Sequence, residues 1–311
     1  RRRMTASDGK APAAHRVVRA ALRGHMDAAR AAAYRVVCAH PDPEAVHDFR
    51  VALRRIRTVT RASRDLYGKR AMAAAEATCR QYGDLTGALR DAEVLADTLA
   101  AASLGPPERV AAERWLTEVR SREAVMRERV VARLAGHELE AGFVALEARL
   151  GRKPKRITTL ADFGAACLAR ARAAILERLP VTEGQPEQLH RLRVRFKRLR
   201  YTAEMLVGFS PALDDDKKGR RMRRAWADTA RHARHMQGHL GRLNDAAQAR
   251  RLLQGAISLP PERRRRLDRG LLELGVDLER TSFAALADLP ASVAGPSHRR
   301  VAVATATDDA V

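Results

Sequence analysis

One basic segment occurs twice in this sequence, and the repeat restricts the possible folds more than any other feature. The first copy, HDFRVALRRIRTV, runs from His47 to Val59, and the second, HRLRVRFKRLRYT, runs from His190 to Thr202. In both copies charged and apolar residues recur at the three- and four-residue spacing of an α-helix, not at the alternating spacing of a strand. The repeat therefore predicts two equivalent helices in a chain that arose by internal duplication.

The order of the predicted helices supports the duplication. Proline and glycine interrupt the helical periodicity at regular places, which predicts two sets of four helices. A second pair of related segments, GALRDAEVL from Gly87 and GRLNDAAQA from Gly241, lies on the third helix of each set. The predicted helices cover residues 14–39, 44–67, 70–103 and 107–136 in the first set, and 159–179, 186–209, 218–255 and 260–287 in the second.

These observations predict an all-α protein made of two four-helix bundles related by pseudo-twofold symmetry. Its long helices are expected to be antiparallel neighbours around a basic central cleft or pore. The ends lack periodicity and are expected to be disordered. The predicted boundaries are 12–288 for the domain, 12–138 for the first half, 139–158 for a basic linker, 159–288 for the second half, and 1–11 and 291–311 for the two tails.

The charge of the chain limits the classes of partner. Its 59 Lys and Arg against 37 Asp and Glu give a formal net charge of +22. Such an excess repels itself unless it faces water or a polyanion, so the candidate partners are nucleic acid, an anionic membrane or a polyphosphorylated molecule. No segment has the apolar length of a membrane span, and no signal-peptide pattern is present. With three scattered cysteines, these features predict a cytoplasmic protein with reduced thiols and no membrane association.

The basic residues of the first copy form a stripe about 100° wide on one side of the predicted helix. It lies beside an apolar face that contains Phe49, Leu53 and Ile56. From Arg50 to Arg64 the stripe extends about 21 Å, with a cation at every turn and no carboxylate within it. The stripe consists of His47, Arg50, Arg54, Arg57, Arg61 and Arg64, the second copy repeats it with His190, Arg193, Lys197 and Arg200, and Arg55 and Arg198 occupy equivalent flanking positions.

The stripe predicts a linear polyanion as the partner. An ordinary solvated helix gains stability from opposite charges at positions i and i+4, whereas this one repeats like charges. Arginine suits a phosphate partner because its guanidinium group binds two phosphate oxygens at once. A solvated basic face is the simpler alternative for one such helix, but two copies with the same phase favour a shared anion site.

Other basic residues give weaker signals. One side of the first predicted helix could extend the basic surface or simply face solvent. Two dense basic runs go round their helices rather than along them, and we interpret both as mainly solvent-facing. The residues of the first helix are Arg16, Arg19, Arg23 and Arg30, and the two runs are Arg220–Arg224 and Arg263–Arg266.

Three histidines lie on one side of the seventh predicted helix. His232, His235 and His239 have a spacing that can bind Zn²⁺ or another transition metal. No nearby carboxylate or cysteine completes such a site, so we expect no metal. Instead, these histidines and Arg242 are expected to line the same anion-binding cleft.

The stripe histidines and the acidic residues of the second repeated pair are expected to support binding, not catalysis. His47 and His190 lack a neighbour in the sequence that would form a catalytic pair, so we expect them to be ligands. Asp91 and Asp245 are expected either to hold an arginine of the stripe by pairing or to cap local polar groups, and Asn244 is expected to give structural support. No nucleotide-binding loop, metalloprotease motif or nucleophile elbow is present, and no cofactor is expected.

These segments resemble those of the CHAD family, the conserved-histidine α-helical domain. AVHDFRVALRRIRT from Ala45 resembles its H-x-x-R-V-x-x-R-R-x-R segment, and LHRLRVRFKRLRYTAEML from Leu189 resembles the second-half version. LTGALRDAEVL and LGRLNDAAQA resemble its third-helix segments. The resemblance implies two four-helix bundles that bind inorganic polyphosphate in a central basic cleft. The ligands it implies are His47, Arg50, Arg54, Arg55, Arg57, His190, Arg193, Lys197, Arg198 and Arg200, with Arg90 as a further candidate.

CHAD domains often follow a CYTH domain that acts on triphosphates. The E-x-E-x-K strand of that enzyme is absent here, so we interpret the chain as a stand-alone, non-catalytic polyphosphate binder that attaches to polyphosphate granules. Sulfate or phosphate is expected to occupy the same site. The main alternative is nonspecific binding of nucleic acid, and a phosphoryl-processing enzyme is less favoured because no nucleophile or Mg²⁺ site is visible.

Overall fold

The computed structural model describes residues 12–38, 43–179, 181, 185–254, 259–290 and 293. Within them all regular structure is helical apart from one isolated β-bridge, and the expected all-α class is confirmed. A 3₁₀ turn covers Ser210–Ala212. The α-helices are α1 (Ala14–Val37), α2 (Pro43–Ala62), α3 (Arg64–Tyr67), α4 (Lys69–Leu85), α5 (Ala88–Ala101), α6 (Pro106–Leu134), α7 (Glu138–Gly151), α8 (Leu160–Leu176), α9 (Pro186–Phe209), α10 (Lys217–Gln254) and α11 (Pro261–Ala287).

Two of the predicted helices are divided in the structure. The predicted helix 44–67 breaks at Ser63, whose hydroxyl donates to a carbonyl four residues earlier at 2.7 Å. It ends at Gly68, whose φ of 100° is a conformation that favours glycine. The predicted helix 70–103 breaks at Thr86, whose hydroxyl makes the same kind of bond at 2.9 Å. Such hydroxyls compete with the helical backbone bonds, which the apolar periodicity alone did not reveal.

The predicted linker 139–158 contains a helix that the sequence interpretation missed. The side chains that α7 buries recur at helical spacing and pack toward α4 and α1. Arg30, which the sequence grouped with the first-helix basic residues, instead fixes α7 to α1 by ion pairs of 2.8 Å to Glu140 and 3.1 Å to Glu147. The buried side chains of α7 are Leu139, Phe143, Leu146 and Leu150.

Corresponding helices in the two halves contact corresponding neighbours. In the first half α2 packs against α1 and α4, and in the second half α9 packs against α8 and α10. Between the halves, α1 contacts α8, α2 contacts α9, α5 contacts α10 and α6 contacts α11. Each of these contacts joins helices at corresponding places in the sequence, and a β-bridge between Ala13 and Thr159 joins the starts of α1 and α8. The pseudo-twofold relation itself stays a prediction.

The core faces predicted for the repeat helices α2 and α9 are buried in the main core. Phe49 and Ile56 of α2 and Phe196 of α9 are completely buried. A second apolar cluster, which contains Trp115, joins the far ends of the long helices α5, α6, α10 and α11. Burial of these faces fixes the rotation of α2 and α9, and so fixes where their basic stripes lie.

The predicted tails 1–11 and 291–311 lie outside the described residues, with one exception. Val293 is completely buried and belongs to the main core. None of the helices in the described part of the chain is long and apolar enough to cross a membrane.

Candidate functional site

Cations of the two repeat helices meet where α2 packs against α9. Lys197 of α9 is half-buried in this contact. Burial, followed by the positive charges of Arg193, Arg54, Arg50 and Arg57, lowers the pKa of its amine to about 8. The five residues therefore lie within electrostatic reach of one another. We call them the cationic seam: Arg50, Arg54 and Arg57 from α2, and Arg193 and Lys197 from α9.

Hydrogen bonds hold Arg50 in the seam, and burial acts on two other seam arginines. Arg50 donates to the Gly83 carbonyl at 2.8 Å and to the Thr86 hydroxyl at 2.9 Å, so the break after α4 is part of the site. Burial and the nearby Arg61 lower the pKa of Arg57. The Nε atoms of Arg57 and Arg193 are buried without a hydrogen-bond partner.

Four seam residues and one flanking residue lack an ion pair. Within the described part of the chain, no carboxylate lies within ion-pair distance of Arg54, Arg57, Arg193, Lys197 or Arg198. Buried cations without a counterion are unfavourable in a folded protein. The centre of the seam therefore has positive charge available for an external anion.

The ring of Tyr201 stands among these cations, and the sequence interpretation did not select it. The ring centroid lies 4.8 Å from the Arg54 guanidinium carbon, 5.6 Å from that of Arg200 and 6.0 Å from Lys197 Nζ. These distances fall within the range of cation–π attraction. The position of Tyr201, one turn after Lys197 and next to Arg200, is the signal that would have identified it.

The outer ends of the two stripes are neutralised by buried or half-buried carboxylates, contrary to the expectation of an uninterrupted stripe. Glu76 of α4 accepts hydrogen bonds from Arg61 and, at 2.6 Å, from Arg64. Burial alone would raise the pKa of the Glu76 carboxyl, but the two arginines outweigh burial and lower it. Arg61 is thus held in an ion pair that the sequence could not show, because Glu76 comes from a different helix.

The second half has a corresponding pair within α9 and α10. Glu204 accepts hydrogen bonds from Arg200 at 2.8 Å and from Arg234 at 2.9 Å. Burial favours a higher pKa for Glu204, but these two bonds lower it on balance. Arg200 also donates to the Gln237 side chain at 2.6 Å. Arg200 is therefore partly neutralised, as Arg61 is in the first half.

A groove of about 1350 Å³ lies beside the seam. Residues of α1, α2, α9 and α10 line it. Its basic lining comes from Arg54, Arg55, Arg200, Arg231 and Arg234, and Tyr201 and Glu204 also line it. The sequence-predicted Arg54 and Arg55 thus face the same space as the half-buried His25.

Histidines contribute to this region in different ways. His25 of α1 lines the groove, and burial together with the nearby Arg55 lowers its pKa to about 4. The sequence interpretation missed His25, because only the packing of α1 on α2 brings it there. His47 is exposed and also lines the groove. His190 is exposed, and its Nδ1 lies 2.9 Å from the Asn244 side-chain oxygen.

Several predicted residues lie outside the seam. Arg198 is exposed beside it, where partial burial and the nearby Arg61 and Arg195 lower its pKa. Arg16 and Arg23 are exposed on α1 and Arg19 is half-buried there. Asn244 also donates to Asp245 at 3.4 Å. The side chains of Arg90 and Asp91 lie outside the described residues.

The described residues that line the groove do not include the three histidines of α10, contrary to the expectation from the sequence. His235 and His239 pack their rings edge to face, 4.7 Å apart, and burial and the positive charges of His235 and Arg242 lower the pKa of His239. Neither they nor His232 and Arg242 are among the described residues that line the groove. Among the described residues, no group of three metal-binding side chains forms a candidate metal site.

Two arginines of each dense basic run bond to other protein groups. Arg220 and Arg223 bond to Asp215 and to carbonyls before α10. Arg264 donates to the Leu259 carbonyl at 3.2 Å, and Arg266 lies 3.5 Å from Glu108.

Comparisons with known proteins agree with this fold. The family model described as CHAD domain matches residues 20–254. The CHAD domain from the plant Ricinus communis is 22% identical, covers 97% of each chain and superimposes with a TM-score of 0.63. PptA from Streptomyces chartreusis is 15% identical, with a TM-score of 0.57 over 88% of this chain and 96% of that chain. Comparison with curated proteins gave no match. Because the family model covers most of the sequence, this chain belongs to the CHAD domain family.

Proposed function

We propose that this protein binds inorganic polyphosphate along the cationic seam and does not catalyse a reaction on it. The observation that carries the proposal is the packing of α2 against α9, which brings Arg54 and Lys197 to the same Tyr201 ring. The other seam arginines lie within electrostatic reach of Lys197. Membership of the CHAD family supports it, because the family is linked to polyphosphate binding in general.

An anion in the seam would remove a cost that the folded protein otherwise bears. Burial disfavours the charged forms of Lys197 and Arg57, and neighbouring cations add to that effect. A phosphate oxygen near these groups would favour their charged forms and accept charge-assisted hydrogen bonds. Binding of the anion would thus relieve repulsion between the seam cations.

A chain of phosphates suits the seam better than a single phosphate ion. Arg50, Arg54 and Arg57 occupy two successive helical turns, a length of about 10 Å. Arg193 and Lys197 lie one turn apart on the facing helix. An anion with a charge at every repeat can contact all these positions at once, whereas one phosphate can contact only two or three of them.

Nucleic acid is the second candidate, because any cationic surface binds it at low salt. Proteins that hold single strands add aromatic side chains on which bases stack. In the described residues Tyr201 is the aromatic side chain in contact with the seam cations, and Arg54 covers its ring. This arrangement favours an anion that needs no stacking surface.

The non-catalytic part of the proposal rests on the chemistry of the seam. Four of its five side chains are arginines, which stay protonated and transfer protons poorly. We propose that the protein attaches to polyphosphate granules in the cytoplasm through this site. Incubation with polyphosphate and Mg²⁺ should release no phosphate above a blank, and release that one carboxylate substitution abolishes would contradict this part.

A competition experiment tests the proposed ligand. Fluorescent duplex DNA is bound to the full chain at physiological salt, and long-chain polyphosphate is titrated in; the reverse titration starts from labelled polyphosphate. We expect polyphosphate to displace DNA and DNA to fail in the reverse direction. Equal competition per charge would show that the seam is a nonspecific cationic surface.

A further inference from the structure

Tyr201 holds basic residues in a different way from the carboxylates of this protein, and it contacts two cations of the seam. Arg61 and Arg64 are held by the Glu76 carboxylate, and Arg30 is held by Glu140. Within the described residues Arg54 has no carboxylate partner, and it stands over the ring of Tyr201 at 4.8 Å. Lys197, which lies near Arg54, is 6.0 Å from the centre of the same ring.

A ring and a carboxylate hold a cation with different consequences for ligand binding. A carboxylate neutralises the cation, and a phosphate group must then displace the carboxylate before it can bind the cation. The face of an aromatic ring attracts a cation through its quadrupole but carries no net charge. A cation held by a ring therefore keeps its full charge for an incoming anion.

Only one of the two repeat helices supplies this ring. The position in α2 that corresponds to Tyr201 is Thr58, whose hydroxyl donates to the Arg54 backbone carbonyl at 2.9 Å. Tyr201 therefore acts across the contact on the α2 residue Arg54, as well as on Lys197 and Arg200 of its own helix.

We propose that Tyr201 is a positioning residue of the anion site, which holds Arg54 and Lys197 side by side before an anion binds and neutralises neither. The inference rests on the proposed function for its effect on polyphosphate affinity. The ring offsets part of the repulsion between the two cations and reduces the ordering that binding requires.

The test compares full-length wild-type protein with Tyr201→Phe, which keeps the ring, and Tyr201→Leu, which removes it. Tyr201→Thr, which introduces the residue found at position 58, is a second ring-free variant. Two quantities are measured: the pKa of Lys197 in the ligand-free protein, from NMR of ¹³C-labelled lysine assigned with Lys197→Arg, and the Kd for long-chain polyphosphate. Circular dichroism checks that each variant is folded.

We expect Tyr201→Phe to match the wild type in Lys197 pKa and to bind within about twofold of it. The ring-free variants should show a lower Lys197 pKa and affinity weaker by roughly five- to tenfold. An unchanged Lys197 pKa in folded ring-free variants would overturn the inference. Equal weakening by Tyr201→Phe would overturn it too, since the hydroxyl would then be the active group. Wild-type protein that fails to bind polyphosphate would refute the proposed function alone, because the Lys197 titration is made without ligand.

Discussion

The repeat helices α2 and α9 have the same pattern of basic residues but neutralise them differently. In α2, Arg61 and Arg64 are paired with a carboxylate from another helix, the buried Glu76. In α9, the residue at the place of Arg61 is itself a carboxylate, Glu204, which binds Arg200 and Arg234. The two halves therefore neutralise the outer ends of their stripes by different residues, and both leave the centre of the contact positive.

This difference teaches that the number of basic residues on a helix does not give the size of an anion site. What matters is which of them the surrounding helices neutralise. The seam cations Arg54, Arg57, Arg193 and Lys197 form no ion pair with a carboxylate in the described part of the chain. They come equally from the two helices, so the halves should act together.

The largest expected effect is that of reversing the two central charges. Arg54→Glu combined with Lys197→Glu should weaken polyphosphate binding more than about 100-fold, because two attractions become repulsions in a partly buried site. The matched control is Arg114→Glu with Arg265→Glu, which reverses two exposed residues on α6 and α11. Fluorescence titration should show near-normal affinity for the control, and helical circular dichroism should be unchanged in both. Equal losses would show that net charge, not the seam, governs binding.

The next largest effect is the pH dependence of polyphosphate affinity, which distinguishes Lys197 from Arg54, its counterpart in α2. Because the pKa of Lys197 is lowered to about 8 in the free protein and a bound polyanion raises it, binding takes up a proton near that pH. Affinity should therefore fall roughly tenfold between about pH 7 and pH 9. Lys197→Arg should remove most of this fall. A wild-type affinity that does not change over this range would contradict the placement of Lys197.

The same lowered pKa has a consequence for stability with the opposite sign. The unfolded chain holds the Lys197 proton up to the ordinary value of about 10.4, whereas the folded protein loses it near 8. Between these pH values the unfolded state binds more protons, so this residue makes the folded protein relatively more stable as pH rises. Over this pH interval, the free energy of unfolding of the wild type should increase relative to that of Lys197→Arg.

Substitution of the two neutralising carboxylates compares the ends of the stripes. Glu76→Gln should lower the free energy of unfolding by about 1–3 kcal/mol, because two arginines lose a buried partner. Glu204→Gln should cost less, about 1 kcal/mol, because the Glu204 side chain is 30% exposed against 3% for Glu76. Both should strengthen polyphosphate binding about two- to threefold, since each releases arginines. Urea denaturation and titration measure the two quantities.

Acid should abolish the stability difference between these variants and the wild type. The pKa values of Glu76 and Glu204 are lowered in the folded protein, so their contribution is present above the ordinary carboxyl pKa. It is lost as pH falls through the folded-state values. A difference that persists in acid would show that packing, not charge, causes the loss.

The smallest effect is expected at the histidine of the second half. Asn244→Ala removes the side chain that positions His190. We expect affinity to fall about twofold, because His190 is exposed and the lost hydrogen bond is worth about 1 kcal/mol or less. A tenfold loss of affinity in the same titration would show that His190 contributes more to polyphosphate binding than the proposed site predicts.

The sequence predicted the all-α fold and indicated the basic residues of the candidate site, because periodicity links core and surface on one helix. Once Phe49 and Ile56 are buried, the direction of Arg50, Arg54 and Arg57 follows from helix geometry. The breaks at Ser63 and Thr86 were missed because they depend on side-chain hydrogen bonds to the backbone. The helix α7 was missed although its leucines have helical spacing, because its basic end was interpreted as a linker.

The remaining errors concern contacts between helices that are distant in the sequence. Glu76 and His25 reach the site only through the packing of α4 and α1, and no local pattern marks them. Tyr201 lies one turn after Lys197 on α9, but its contact with Arg54 depends on the packing of α9 against α2. The histidines of α10 were assigned to the cleft by their charge and spacing. Helix rotation decides instead, and His235 and His239 pack on each other outside the groove lining.

Calorimetric titration with short-chain polyphosphate tests the central claim, that α2 and α9 form one shared site, most directly. Wild type, Arg54→Glu and Lys197→Glu are compared at physiological salt. The account predicts one bound chain per protein in the wild type, and a lower affinity at that one site in either single variant. Two independent sites in the wild type, with each variant losing one and keeping the other at full affinity, would contradict it.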